Sequence, residues 1–340
     1  MTTQQASFEK VESTLSSALK ELTVYYSQNH LKPNPAKTQL SAFHLRNKSA
    51  NRKLKIDWNG VPLEHTQHPV YLGVTLDRTL TYKEHCKKTK MKVSSRNNLL
   101  QKMSGTKWGA NPTTLRTTAM ALCVSVAEYC CPVWTRSAHS RQVDAAINNT
   151  CRLITGCTRQ TQTQDLYVLS GIAPPTVRRQ IASMKEKDRQ ERDTRHSLHH
   201  HTPVRKRLKS RSSFIAETEA LQGAYESVRL HQWHENWLSQ QSSLKEYSLF
   251  PMEALPAGRD LSWRQWRTAN RVRSKKTATP ADKKRWGYTD TDVCACGATP
   301  CDLNHLLSEC DHYGPRPGLG DIRAMSDTMT AWLDRVSDTI

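Results

Sequence analysis

Apolar residues recur at helical spacing through most of this chain, and near the N-terminus the period drops to two. Phe8, Val11, Leu15, Ala18, Leu19, Leu22 and Tyr26 share one helical face. They predict an amphipathic helix from about Ser7 to Asn29, stopped by Pro33 and Pro35. Leu54, Ile56 and Trp58 then alternate with polar residues, and Asn59-Gly60 follows at once. That dipeptide signals a two-residue hairpin turn, because both positions take positive φ. Val61 and Leu63 continue the alternation, and Pro62, with no N–H for a ladder, places the return strand at an edge. Val70 to Leu76 reads as a third apolar strand with Gly73 in its middle. Strands are expected around Gln39–His44, Lys53–Trp58 and Val70–Leu76, with the first helix covering one face. From the residues alone, this is a small structural sheet.

The helical period governs the rest. Tyr82 to Met103 is a basic helix with Val93, Leu99, Leu100 and Met103 as its sparse apolar face, ended by Gly105. Asn111-Pro112 opens the next helix, with Asn as cap and Pro in the first turn. Leu115, Ala119, Leu122, Cys123, Val126 and Cys130 line its inner face, which puts Cys123 and Cys130 in the core. Ser140 caps a third helix with Val143, Ile147, Cys151 and Ile154 inward and Gly156 past its end. A further helix starts at Pro174 and is highly charged from Lys185 onward. His199 to His201, consecutive and therefore unable to face one ligand site, read as solvated linker. Leu221, Tyr225, Val228, Trp233 and Trp237 mark another helical region. Trp263 and Trp266, three apart among arginines, fit core packing better than base stacking.

Charge changes the picture. The 340 residues carry a formal charge of +19 at a mean hydropathy of -0.70. Nine Lys/Arg against one Glu between Arg78 and Lys107 give +8. Arg178–Arg211 and Arg259–Arg285 each give +8 again, so the remainder of the chain is slightly acidic. Such concentration points to a polyanionic partner, RNA or DNA, although the middle block has interspersed acids and fits a solvated run equally well. The basic tract at Arg205–Arg207 resembles a nuclear localisation signal. No apolar run is long enough to span a membrane and no secretory leader is visible, so a nuclear or cytoplasmic, reducing compartment is expected. The ten Cys then read as thiols plus a metal cluster. Cys294, Cys296, His305 and Cys310 follow a C-x-C-x8-H-x4-C spacing, a closed three-thiolate, one-imidazole set for structural zinc. Gly297 lets backbone amides turn toward the sulfurs, and a short helix at His305–Leu307 brings His305 near Cys310. Cys301 and His312 are spare candidates. The metal would stabilise a small domain without a core of its own.

Taken in order, these motifs resemble the reverse transcriptases of jockey-like non-LTR retrotransposons. The likeness runs through Leu31–Thr38 (LKPNPAKT), Tyr71–Asp77 (YLGVTLD), Asn97-Asn98, Trp108-Gly109, Tyr129 and Pro132-Val133-Trp134. It continues at Ile172–Pro175 and Trp266–Arg273 and ends in the Cys/His cluster, which matches the family's C-terminal knuckle. The resemblance implies a mostly α, α+β chain. Residues 1–80 would be an antiparallel palm remnant with a primer-grip hairpin and 81–173 a helical thumb bundle closing on template–primer. A basic helix and linker (174–213), a helical connector (214–285) and a zinc-knuckle-like region (286–340) would follow. It implies a primer grip at Tyr71, Leu72 and Gly73 and a nucleotide-proximal palm motif at Asn34, Lys37 and Thr38. Lys87, Lys88, Lys90, Lys92 and Arg96 are the candidate nucleic-acid contacts.

The family's metal-holding carboxylates are an early palm Asp and an Asp-Asp pair, because nucleotidyl transfer needs two divalent ions. No Asp-Asp pair occurs here and the first Asp is Asp57. Only six residues precede the helix that follows the family's catalytic strands, so the catalytic half is expected to lie outside this chain. Mg²⁺ would belong only to an intact polymerase, Lys37 alone would be an ordinary solvated lysine, and no small-molecule substrate is expected. The reading is thus a C-terminal fragment of an RNA-directed DNA polymerase, catalytically inactive by itself. The alternatives are a truncated or domesticated zinc-containing nucleic-acid-binding protein and an inert retroelement remnant.

Overall fold

A computed structural model describes the chain except residues 45, 106–108 and 203–212 and the side chains of 47, 216 and 217. Trp108, Arg205–Arg207 and all of Leu208–Ser213 but its last residue lie outside the described residues. Two compact units form: Met1–Lys88 with Ser137–His139, and Thr89–Arg136 with Ser140–Ile340. The architecture is mostly helical with a few very short strand pairs.

In the first unit helix α1 (Phe8–Gln28) begins at Ser7, whose hydroxyl accepts from the Lys10 N–H at 3.3 Å. It ends before the prolines. His30 turns left-handed (φ 54°) and the Leu31 N–H reaches back to the Tyr26 carbonyl at 2.8 Å, a Schellman closure. The inner face of α1 packs on Leu40, Leu54, Ile56, Trp58 and Leu63. The Trp58 indole N–H donates to Thr23 Oγ1 at 2.9 Å.

The strands are shorter than their apolar patterns. β1 (Gln39–Leu40) pairs with β4 (Glu64–His65), β2 (Asp57–Trp58) with β3 (Val61–Pro62), and β5 (Val70–Tyr71) with β6 (Val74–Thr75). The expected Asn59-Gly60 turn is present, with φ of 52° and 79°. Two expectations fail. The β1–β4 pairing is parallel, so the strands do not make one antiparallel sheet. Val70–Leu76 is not one strand but a hairpin folded at Leu72-Gly73, with φ of 45° and 81°. Two successive positive φ values make the tight turn that matches strand twist, and Gly73 supplies the position a Cβ disfavours.

Helix α2 (Lys83–Met103) opens the helical part, and the division between units runs through it. Its buried side is Cys86, Thr89, Val93, Asn97 and Leu100, while Leu99, expected inside, is 51% exposed. The inward Asn97 is satisfied. Asn97 donates to the Ala146 carbonyl at 3.0 Å and accepts from Thr150 Oγ1 at 2.7 Å.

Helix α3 (Pro112–Ala119) is capped by Asn111, whose Oδ1 accepts from the Thr114 N–H at 2.8 Å. It runs into a π-helical turn (Met120–Val124) and a last helical turn (Ser125–Glu128). The wide turn advances the register by about one residue. The inner stripe therefore passes from Leu115, Ala119 and Cys123 to Val124, Ala127 and Cys131, while Val126 and Cys130 stay only half-buried. The placement of Cys130 in the core is thus corrected to Cys131, and Cys130 itself is left-handed (φ 48°).

Helix α4 (Arg141–Thr155) buries Val143, Ile147, Cys151 and Ile154 and ends at left-handed Gly156, but Ser140 makes no side-chain cap. α5 (Thr163–Ser170), α6 (Pro175–Arg192) and α7 (Tyr225–Leu238) follow. Next come α8 (Trp263–Arg273), α9 (Pro280–Arg285), α10 (Leu319–Ala324) and α11 (Asp327–Val336). Trp233, Trp237, Trp263 and Trp266 are all buried, and the Trp266 N–H donates to the Ile154 carbonyl at 2.9 Å.

Several cations of the third basic block are committed to partners within the fold, Arg273 buried and Lys275 and Lys284 in exposed ion pairs. Arg273 is fully buried and donates to the carbonyls of Ala257 (2.9 Å), Ile322 (3.2 Å) and Arg323 (3.3 Å). Arg271 holds the Gly156 carbonyl at 3.0 Å, Lys275 pairs with Glu246 at 2.6 Å and Lys284 with Asp292 at 2.7 Å. Arg178 and Arg179, which open the middle block, pair with Glu128 and Asp144. No described helix is long and apolar enough to cross a membrane.

Candidate metal centre and nucleic-acid interface

Cys294, Cys296, His305 and Cys310 come together, their ligand atoms all within 4.8 Å of one another. The sequence folds them there by two local devices. Gly297 is left-handed (φ 88°), its N–H bonds the Cys294 carbonyl at 2.8 Å, and the Cys294 N–H bonds the Ala298 carbonyl at 2.9 Å. That tight loop aims the Ala298 amide at the Cys296 sulfur. The second device is a π-helical turn (His305–Glu309), closed by the Cys310 N–H on the His305 carbonyl at 2.9 Å.

The spacing suits a tetrahedral ion. Zn–S bonds of about 2.3 Å imply sulfurs about 3.8 Å apart. Cys294 and Cys310 sulfurs lie 3.6 Å apart, and Cys296 Sγ is 3.2 Å from His305 Nε2. The His305 Nδ1 faces Glu309 Oε2 at 3.4 Å, leaving Nε2 for a metal, an outer partner of the kind that orients ligating histidines. The Ala298 amide, foremost, and the neighbouring Cys294, Cys310 and His305 lower the Cys296 thiol to about 7, so a thiolate is at hand near neutral pH. Burial instead raises Cys294 and Cys310. A Cys3His set that could hold a metal ion is therefore in place.

The spare candidates are not among those four. Cys301 is fully buried and borders the set, its thiol hydrogen-bonded to that of Cys294, and exposed His312 packs edge-on against Tyr313, centroids 4.8 Å apart. Cys294, Cys301 and Cys310 share a core with Tyr247, Ala269, Val272, Leu306, Met329, Trp332 and Val336. The Cys/His segment thus borrows a core from helices on both sides of it in sequence. All ten cysteines are free.

The candidate nucleic-acid residues on α2 separate into two groups. Lys87, Lys88, Lys90 and Lys92 are exposed, with Met91 and Leu99 exposed among them. Arg96 points inward, and its Nη1 donates to the Leu122 carbonyl of the π-turn at 2.5 Å. It is committed to the backbone. The hairpin tip is also open to solvent, Tyr71 67% and Leu72 73% exposed. Asn34 caps a single 3₁₀ turn (Pro35–Lys37) by accepting from the Lys37 N–H at 3.2 Å. Thr38 Oγ1 donates to the Asn34 carbonyl at 3.0 Å, and the Lys37 side chain is exposed.

Pattern reading passed over Asp77, which ties the hairpin to α2. Its Oδ1 accepts from the Thr81 N–H at 2.8 Å and the Thr79 N–H at 3.3 Å. Its Oδ2 accepts from Thr81 Oγ1 at 3.0 Å and from the Lys83 N–H at 3.1 Å. Burial pushes its carboxyl up, but the bonds from Thr81, Lys83 and Thr79 outweigh this and hold it below its ordinary value. An Asp followed by two threonines before a helix start was the available signal. Glu309, four residues after His305, had a similar one.

Comparison with known proteins adds one distant relative. Over 140 residues the chain is 27% identical to a retrovirus-related Pol polyprotein from the type-1 retrotransposable element R1 4 of Nasonia vitripennis. The match covers 41% of this chain and 36% of that protein, so it spans about a third of the relative's length. No protein-family profile matches the chain. No solved structure matches it either. The likeness supports a retroelement-related origin.

Proposed function

We propose that this chain is a C-terminal portion of a retrotransposon reverse transcriptase and binds template–primer nucleic acid. The carrying observation is the partial likeness to a retrotransposon Pol polyprotein. The ordered motifs from Leu31 to the Cys/His cluster support it. On this reading residues 1–80 are the palm end, with the Tyr71–Gly73 hairpin as primer grip and Asn34, Lys37 and Thr38 near the nucleotide. The helices that follow are the thumb, and the exposed Lys87, Lys88, Lys90 and Lys92 face the phosphates. Cys294, Cys296, His305 and Cys310 hold a structural zinc.

The second reading, a truncated or domesticated zinc-containing nucleic-acid-binding protein, is supported by the Cys3His set and the exposed α2 lysines, which need no polymerase around them. Both readings give salt-sensitive, weakly sequence-specific binding. Fluorescence anisotropy with a primed RNA template at several salt concentrations tests it. Affinity should fall by about 0.7 to 0.9 log units per phosphate contact per decade of salt. Replacing the four α2 lysines with Gln should weaken binding and flatten the slope. Binding that holds unchanged from low to high salt would overturn the proposal.

A further inference from the structure

We infer a second phosphate-binding groove, apart from the α2 lysines, between the C-terminal end of α6 and the start of α7; it rests on the nucleic-acid reading above. The groove has a volume of about 520 Å³, and Lys185, Arg189, Arg192 and Arg195 line it. All four are exposed. They come from the middle basic block, where interspersed acids left a nucleic-acid role undecided in sequence. The fold separates the cations of that block. Arg178 and Arg179 turn inward onto Glu128 and Asp144, whereas these four converge on open solvent.

Four cations face two carboxylates here, a net +2, and Arg189 and Arg195 already have acidic partners. Asp188 accepts a 2.6 Å hydrogen bond from the Tyr225 hydroxyl, and Asp193 is held by Arg195 Nε at 3.2 Å. Glu186, just outside, takes Arg189 at 2.9 Å. Arg192 and Lys185 form no ion pair among the described residues, and Lys185 Nζ lies 5.2 Å from the Tyr225 ring centroid.

A simpler account is that cations near a helix C-terminus offset its dipole. That accounts for Arg189 and Arg192, in the last turn. It does not account for Arg195 beyond the helix, or for Lys185 nearly two turns back on the same groove. Four guanidinium or ammonium groups around one concavity suit a ligand bearing several phosphates, because arginine forks match phosphate oxygens. The Tyr225 face already carries the Lys185 ammonium, so it is not free for a base. The groove therefore grips the backbone of RNA or DNA without reading its sequence.

The test uses the full chain, with single-stranded RNA of mixed sequence and its scrambled counterpart. Arg189→Gln, Arg192→Gln and Arg195→Gln are combined, and binding is followed across a salt series. Loss of two to three contacts should make the log K against log salt slope shallower by about 1.4 to 2.1 for a single strand. Both sequences should lose affinity equally. Tyr225→Phe, which keeps every cation but frees Asp188, should weaken binding modestly; the triple Arg→Lys variant should restore most of the slope and controls for folding. An unchanged slope in the Gln variant, while the lysine variant of α2 still loses affinity, would overturn the groove and leave the functional reading standing. No binding by the unaltered chain would overturn both. Polyglutamate competing as well as RNA would overturn the phosphate assignment.

Discussion

Asp77 shows how one carboxylate can organise a junction. It accepts two backbone N–H groups and the hydroxyls of Thr79 and Thr81 ahead of α2, plus the N–H of Lys83, the first residue of that helix. Hydrogen bonds to a charged group are worth about 1.5 to 3 kcal/mol, and unsatisfied donors cost about as much. Asp77→Ala should therefore lower stability by about 2 to 4 kcal/mol, and Asp77→Asn by less, read by urea denaturation. The pH dependence has a definite sign. The folded carboxyl sits below the unfolded value of about 3.9. Its contribution is thus complete above pH ~4 and disappears as pH falls through the folded value. Asp77→Asn should flatten that part of the acid limb; an acid profile identical to the unaltered chain would exclude the role. Residues whose role follows from local chemistry were legible in sequence, among them the Asn111 cap and the Asn59-Gly60 turn, although Ser140 makes no side-chain cap. Asp77 and Arg96 were not, because hydrogen-bond partners follow from three-dimensional proximity and not from charge counts.

At the scale of elements, apolar periodicity located the longer helices but passed over Thr163–Ser170, Pro280–Arg285, Leu319–Ala324 and Asp327–Val336, and it could not reveal a change of register. The π-turn at Met120–Val124 exchanges Cys130 for Cys131 on the buried side. Burial pushes the Cys131 thiol up to about 12. Cys131→Ser would bury a hydroxyl in place of a thiol and should cost about 1 to 3 kcal/mol, whereas Cys130→Ser should be nearly neutral. Equal losses would mean that α3 continues without the wide turn. The Val70–Thr75 hairpin was misread as a strand for a related reason. Leu-Gly carries no turn signature, yet Leu72 adopts a left-handed conformation that costs an L-residue about 1 to 2 kcal/mol. Leu72→Asn should stabilise the turn by about 1 kcal/mol, measured by thermal unfolding. If the exposed leucine serves a primer grip, the same change should also weaken template–primer binding. A stabilised variant with full binding would leave Leu72 without that role.

Across the whole molecule, charge was legible as an amount but not as a surface. Of the three basic blocks, the last turns Arg271 and Arg273 onto backbone carbonyls, and the first presents an open lysine face. A chain without an Asp-Asp pair should give no template-dependent primer extension with Mg²⁺ or Mn²⁺, and incorporation by a pure, folded preparation would refute this. The Cys3His set was legible from spacing, but its setting was not. Cys294 and Cys310 sit in the core built from Tyr247 to Ile340, so an ion held by the set would brace that core and not a detached knuckle. Chelation should therefore loosen α8, α10 and α11 together while leaving α1 and its packed strands protected, as followed by hydrogen exchange. Exposed Cys296, with its thiol near 7, should then become the fastest cysteine to alkylate and be shielded again when zinc is restored. Cys296→Ser with His305→Ser should reproduce the chelated state. Nucleic-acid affinity should drop only modestly, because Asp302 and Glu309 are the only charged side chains between the first and last ligands. Exchange confined to residues 290–312 would mean that the segment is autonomous, and a loss of affinity as large as that from the α2 lysines would move the principal nucleic-acid contact to the metal site.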